Sequence, residues 1–190
     1  MRSLEQIGDI KDKRVLVRLD LNVPIVNGKV TDDFRIRKSF PTLDFLIEKG
    51  ARIILISHCE GKESKTLKPM HEYLETRYKV AFVKDFLDQE SKLAVTAQSQ
   101  ALKEGEILLL ENLRLDEGEK SNSPEFTAFL ASLGDIYVNE AFSASHRSHA
   151  SIVGVPTLIP AYAGFLFLKE VENLSKAFNP KHPFVFILGG

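Results

Sequence analysis

Cysteine is nearly absent: Cys59 is the only one among 190 residues. No disulfide can close within the chain, and a four-cysteine zinc site is impossible, as expected for a reducing compartment. A surplus of positive charge is missing too. The chain has 25 Lys and Arg against 26 Asp and Glu, a net charge of -1, which argues against a nucleic-acid binder. No apolar run approaches the roughly 18 residues of a membrane span, and the opening Met1-Arg2-Ser3-Leu4-Glu5 carries no signal-peptide core. The expectation is a cytoplasmic protein with neither nucleic-acid nor membrane partners. Glycine-rich phosphate motifs are also absent. Gly61-Lys62 is followed by Glu63 and preceded five residues earlier by Ile56, so it is no Walker A loop. No two glycines stand at G-x-G spacing, which removes the dinucleotide fingerprint.

What remains is the composition of an ordinary globular protein, 44% hydrophobic and 27% charged, long enough to bury roughly 70% of its unfolded surface. Short runs rich in Val, Ile and Leu recur at Val15–Leu19, Arg52–Ser57, Val80–Val83, Ile107–Leu110, Ile136–Val138 and Phe184–Leu188. They do not alternate with polar residues, the habit of strands buried on both faces. Helical spacing fills the gaps: Pro41 to a stop at Gly50, Pro69 to Tyr78, Asp88 to Leu102, Ser123-Pro124-Glu125 to Gly134, and Ala163 to Phe178. Strand and helix alternate throughout. The pattern predicts a doubly wound α/β fold: a mostly parallel sheet of about six strands with helices on both faces, three layers of the Rossmann-like kind. There is no repeat and no internal linker, so residues 1–190 read as a single domain. The last run stops at Gly189-Gly190, which predicts that something follows.

In open α/β sheets ligands bind beyond the carboxyl ends of the strands. The residues there are polar: Asp20 and Asn22, His58, then Glu111, Asn112 and Arg114, then Asn139 and Glu140 followed by His146, Arg147 and His149, with Arg35 opening the first crossover. Three guanidinium groups helped by imidazoles match a small acid of about three negative charges, such as a phosphate ester with a carboxylate. Asp20 and Asn22, two apart, point the same way off an extended strand and suit a hydroxyl, although a turn before Pro24 explains them equally. Zinc at His146-x-x-His149 and catalysis by Cys59 beside His58 are the weaker readings, a buried inert thiol the plain one. Most of Glu111–Glu119 reads as a solvated loop.

These blocks also carry a family likeness. Val17-Arg18-Leu19-Asp20-Leu21-Asn22-Val23-Pro24, Thr31-Asp32-Asp33-Phe34-Arg35-Ile36, Leu109-Leu110-Glu111-Asn112-Leu113-Arg114 and Val138-Asn139-Glu140-Ala141-Phe142 through His146-Arg147-Ser148-His149-Ala150-Ser151 resemble phosphoglycerate kinase in order and spacing. The resemblance implies phosphoryl transfer between 1,3-bisphosphoglycerate and ADP, giving 3-phosphoglycerate and MgATP. It implies the N-terminal half of a two-domain kinase, the acid-binding half. MgADP or MgATP would bind the C-terminal half, absent here, so no cofactor and no metal is expected on this chain. It further implies that Asp20 and Asn22 hold the glycerate end, that Arg35 is the catalytic group facing the transferring phosphoryl, and that His58, Arg114 and Arg147 grip the ester phosphate. His146 and His149 would line or support that rim, and the resemblance favours a monomer.

Two departures stand out. Where the family reads Ser-His-Leu-Gly-Arg-Pro, this chain has Ser57-His58-Cys59-Glu60-Gly61-Lys62, so Gly61 takes the arginine's place, Lys62 is the substitute charge, and Glu60 adds a repelling one. Ser143-Ala144-Ser145 stands where the family has Gly-Thr-Ala, a loss that matters if the first position needs positive φ. The competing function is a stand-alone module that binds a phosphorylated metabolite without catalysis.

Overall fold

The computed structural model describes residues 1–60, 65–185 and 187. Its strands are β1 (Arg14–Arg18), β2 (Ile25–Val26), β3 (Lys29–Val30), β4 (Arg52–Ile56), β5 (Val80–Val83), β6 (Ile107–Leu110), β7 (Ile136–Asn139) and β8 (Ala161–Ala163). The helices are α1 (Phe34–Lys38), α2 (Phe40–Glu48), α3 (Lys68–Glu75), α4 (Gln89–Ala101), α5 (Glu117–Ser121), α6 (Pro124–Ser132), α7 (Val155–Leu158) and α8 (Phe165–Ser175). Six strands form one sheet in the order β5-β6-β4-β1-β7-β8, and every neighbouring pair in it is parallel.

The missing alternation has a direct cause. Val15, Val17, Ile53, Leu55, Ile107 and Leu109 enter one core, with Leu43, Leu46, Met70 and Leu74 of α2 and α3. Leu16, Ile54, Ile56, Leu108 and Leu110 enter the opposite core, with Val95, Phe126 and Leu130 of α4 and α6. Both faces of each central strand are therefore apolar. The crossovers after β1 and β4 cover one face and those after β5 and β6 the other, so the winding reverses around β1, where a crevice opens.

Helix ends follow the expected chemistry. Asp88 accepts from the Ser91 amide at 2.7 Å and Ser123 from the Phe126 amide at 3.2 Å, capping α4 and α6. Two departures are instructive. The run Phe184–Leu188 was expected as the sixth strand, but its described residues lie outside both sheets, with Val185 81% and Ile187 89% exposed. The sixth strand is instead β8, three residues after Pro160 that are too few to make a visible run. Asn27-Gly28, not read from the sequence, closes the antiparallel β2-β3 hairpin with both central residues at positive φ, the geometry a two-residue turn needs.

Candidate functional site

The parallel sheet sets four carboxyl ends side by side, in the order β6, β4, β1, β7. From β1 the chain runs into Asp20 and Asn22, from β4 into His58 and Glu60, from β7 into Ser143 and Arg147, and Arg35 reaches back from α1. These side chains, with Ala144, line a hollow of about 140 Å³. Arg35 donates to Asp20 Oδ2 at 2.9 Å and to the Asn22 carbonyl at 3.4 Å. Asp20 also accepts from the Asn22 amide at 3.1 Å and from Ser143 Oγ at 2.6 Å. Asp20 and Asn22 are thus both a turn and two walls of the hollow, so the readings weighed for them coexist. Ser143 is not among the residues at positive φ. A glycine is not required there, and the serine hydroxyl braces Asp20 instead.

Arg18 is the residue that sequence reasoning passed over. It ends β1, paired in register with Ile56 and Asn139, and is fully buried. Its guanidinium donates to Ser151 Oγ at 3.0 Å, to the Leu19 carbonyl at 2.5 Å and to His58 Nδ1 at 2.9 Å. Guanidinium can only donate, so Nδ1 accepts and the proton of the imidazole sits on Nε2. Burial foremost, then the charges of Arg18 and Arg114, lower the His58 pKa to about 3. His58 is therefore a neutral donor, so the help expected of it comes as a hydrogen bond and not as charge. A charge inside an apolar run was the available signal, because a buried arginine demands partners.

Arg114 follows β6 and lies just beyond the first hollow. It lines a second hollow of about 270 Å³ with Cys59, Lys65, Asn112 and Lys120, and Glu60 belongs to both. Its side chain is only 5% exposed and forms an ion pair with Glu60. Burial, and then the charges of Arg147 and Arg18, lower its pKa. So Arg35, His58 and Arg147 share one hollow, and Arg114 stands behind the Glu60 wall. His146 is exposed and lines neither hollow. His149 is mostly buried, with Nδ1 3.8 Å from Glu119 Oε1, and burial lowers its pKa. Gly61 and Lys62 lie outside the described residues.

The stretch Glu111–Glu119 is not a solvated loop. Glu111 accepts from the amides of Leu67 and Asn112 at 2.6 and 2.7 Å and from the Thr66 hydroxyl. Asn112 donates to the carbonyls of Cys59 at 3.0 Å and Lys65 at 2.8 Å, tying these two residues to the end of β6. Glu119, fully buried, accepts from the Ser151 amide and hydroxyl at 3.0 and 2.6 Å. Cys59 is buried and its thiol is pushed up to about 11, chiefly by burial, the condition of an inert thiol rather than a nucleophile. Among the described residues no three His, Cys, Asp or Glu side chains gather as a metal site, and no helix is long and apolar enough to cross a membrane.

The family model for phosphoglycerate kinase matches residues 4–190. The phosphoglycerate kinase of Moorella thermoacetica is 48% identical over 190 residues, covering 96% of this chain and 47% of the relative. That of Coprothermobacter proteolyticus is 44% identical over 201 residues, covering 100% and 49%. The solved structure of phosphoglycerate kinase from Coxiella burnetii superposes with a TM-score of 0.81 at 36% identity, over 95% of this chain and 46% of that one. The chain spans about half the length of the curated relatives it matches.

Proposed function

This chain belongs to the phosphoglycerate kinase family, and from that premise we propose that it is the N-terminal, acid-binding half of such an enzyme. Its ligand is 3-phosphoglycerate or 1,3-bisphosphoglycerate. The reaction it serves is phosphoryl transfer with ADP and ATP, in glycolysis and in the cytoplasm, and the nucleotide with its magnesium rests on a second domain. The chain works as one domain and one monomer with that partner. The single observation that carries this reading is the convergence of Asp20, Asn22, Arg35, His58 and Arg147 on one hollow at the carboxyl ends of β4, β1 and β7. Exposed apolar side chains at and after the end of α8 support the second domain: Leu174 is 50% exposed and Phe178 90%.

The geometry accounts for the chemistry without a general base. In the ATP-consuming direction the acceptor is a carboxylate, already ionised at neutral pH. Positioning and charge stabilisation supply the rate. Asp20 and Asn22 orient the glycerate end, and the ester phosphate takes the neutral Nε2–H of His58 together with Arg147 and Arg114. His149 supports that rim, and Lys62, next to Gly61 in the sequence, is the substitute charge. Arg35 has a side chain 53% exposed, tethered among the described residues by Asp20 and the Asn22 carbonyl. It is free to turn its planar fork toward the equatorial oxygens as charge spreads in line.

Calorimetry on the 190-residue chain tests this reading. It binds 3-phosphoglycerate weakly, shows no measurable affinity for MgADP, and turns over negligibly. Tight nucleotide binding without acid binding would reverse the assignment of the halves. The alternative, a module that only binds a phosphorylated metabolite, predicts no turnover even when the nucleotide half is joined to it.

A further inference from the structure

Glu60 holds an unusual place. Its backbone amide donates to Asn22 Oδ1 at 3.1 Å, which fixes the residue at the edge of the first hollow. Its carboxylate pairs with Arg114. The two partners are unequally buried, with Glu60's side chain 48% exposed and that of Arg114 5%. Arg114 Nε, Nη1 and Nη2 are covered from solvent, yet none makes a well-directed hydrogen bond. Among the described residues, a guanidinium with five donors is therefore paired with one half-exposed carboxylate and otherwise left without a hydrogen-bond partner, at a point crowded by the charges of Arg18 and Arg147. That is an arrangement built for an anion with more oxygens than one carboxylate offers.

We propose that Glu60 is a displaceable internal counter-ion of Arg114, which occupies the guanidinium while the hollow is empty and yields it to an incoming phosphate group. The inference rests on the reading of Arg114 as a phosphate-gripping residue. Glu60 reaches both hollows, so when its carboxylate rotates into solvent the wall between them opens and Arg114 meets the ligand. Displacement costs the ion pair, and the cost acts as a charge threshold. A doubly charged phosphate recovers it through several charge-assisted hydrogen bonds, whereas a singly charged carboxylate merely replaces Glu60. Glu60 is thus a specificity-determining residue: it weakens all anion binding and weakens singly charged ligands most.

The test is a double-mutant cycle on the 190-residue chain: wild type, Glu60→Gln, Arg114→Ala and the two together, titrated by calorimetry with 3-phosphoglycerate and separately with inorganic phosphate at fixed ionic strength. Glu60→Gln keeps the side chain's shape, and Glu60→Ala repeats the measurement should the amide form a new contact. The expected result is about two- to five-fold tighter binding of both anions on removing the Glu60 charge, the upper part of the range of an exposed ion pair, and no gain in the Arg114→Ala background. No change, weaker binding, or an equal gain without Arg114 overturns the proposal, the last because it would mark a general field effect rather than release of one guanidinium. Absence of binding by every variant overturns it too. A gain for inorganic phosphate with no binding of 3-phosphoglycerate by any variant sustains the counter-ion and refutes the substrate assignment.

Discussion

Replacing His58 by asparagine separates the imidazole's hydrogen bond from its proton. The asparagine Oδ1 takes the place of Nδ1 and accepts from Arg18, but it cannot titrate. In the native chain the His58 pKa is lowered from 6.5 to about 3, so the unfolded state binds a proton across that interval and the folded state does not. Stability must then fall as pH drops through 6.5 and continue to fall toward 3. The linkage integral between pH 7.5 and pH 5 gives a loss of about 2 kcal/mol for this one group. The ring is almost wholly buried, so solvent screening takes little from that figure. Urea unfolding of both proteins at the two pH values measures it. The native chain loses about 2 kcal/mol more than His58→Asn, and the other titrating groups cancel in the comparison. Equal losses would show that His58 gains a proton in the folded state as easily as in the unfolded one, and the neutral-donor assignment would fall.

Three further substitutions probe different links. Arg35→Ala in an enzyme with its nucleotide half restored lowers kcat about 100-fold or more while changing the affinity for 3-phosphoglycerate only a few-fold, because this guanidinium serves the transition state; steady-state kinetics beside direct binding gives the split. Arg18→Met removes a fully buried charge and leaves Ser151 Oγ and His58 Nδ1 without the donor it supplies, while the Leu19 carbonyl keeps only Ser57 Oγ at 2.8 Å. A loss of about 3 kcal/mol is expected in denaturant unfolding, together with a raised His58 pKa visible by NMR titration. Gly164→Ala drives a methyl group into the Glu140 carboxylate, which accepts from the amides of Leu166 and Phe167 at 3.2 and 2.9 Å at the start of α8. The cost is about 1 to 3 kcal/mol, read as a lowered Tm.

Legibility followed the range of the interactions. The five longest strands show in the sequence because burial on both faces removes nearly every polar residue from a run, Arg18 being the buried exception, and capped helices show because Asp88 and Ser123 act three residues away. Candidate site residues were found by the same local logic, being the polar positions that end those runs. What stayed hidden depends on partners far along the chain. Glu119 reads as one of several acids in a loop until Ser151, 32 residues on, is seen donating to it. Glu60 reads as a stray negative charge until Arg114 is beside it. The tail at 184–187 misled for the opposite reason: its apolar residues meet the run criterion, but a run says nothing of whether a neighbouring strand has an edge to offer.

The pairing of Arg18 with His58 sets a buried cation behind a residue that lines the hollow proposed for the acid. A protonated histidine would attract phosphate more strongly, but its charge would vary across the ordinary pH range. Here the permanent charge sits one residue behind the imidazole, and its donor to Nδ1 polarises the ring so that Nε2–H becomes a stronger donor. The ring cannot gain a proton without confronting Arg18, Arg114 and Arg147. The hollow thereby acquires a directional donor whose strength does not depend on pH, backed by a positive field that burial keeps unscreened. Ser151 completes the arrangement, accepting from Arg18 while donating to Glu119. The fully buried carboxylate thus reaches the guanidinium through the Ser151 hydroxyl, and its charge raises the Arg18 pKa against the larger lowering by burial.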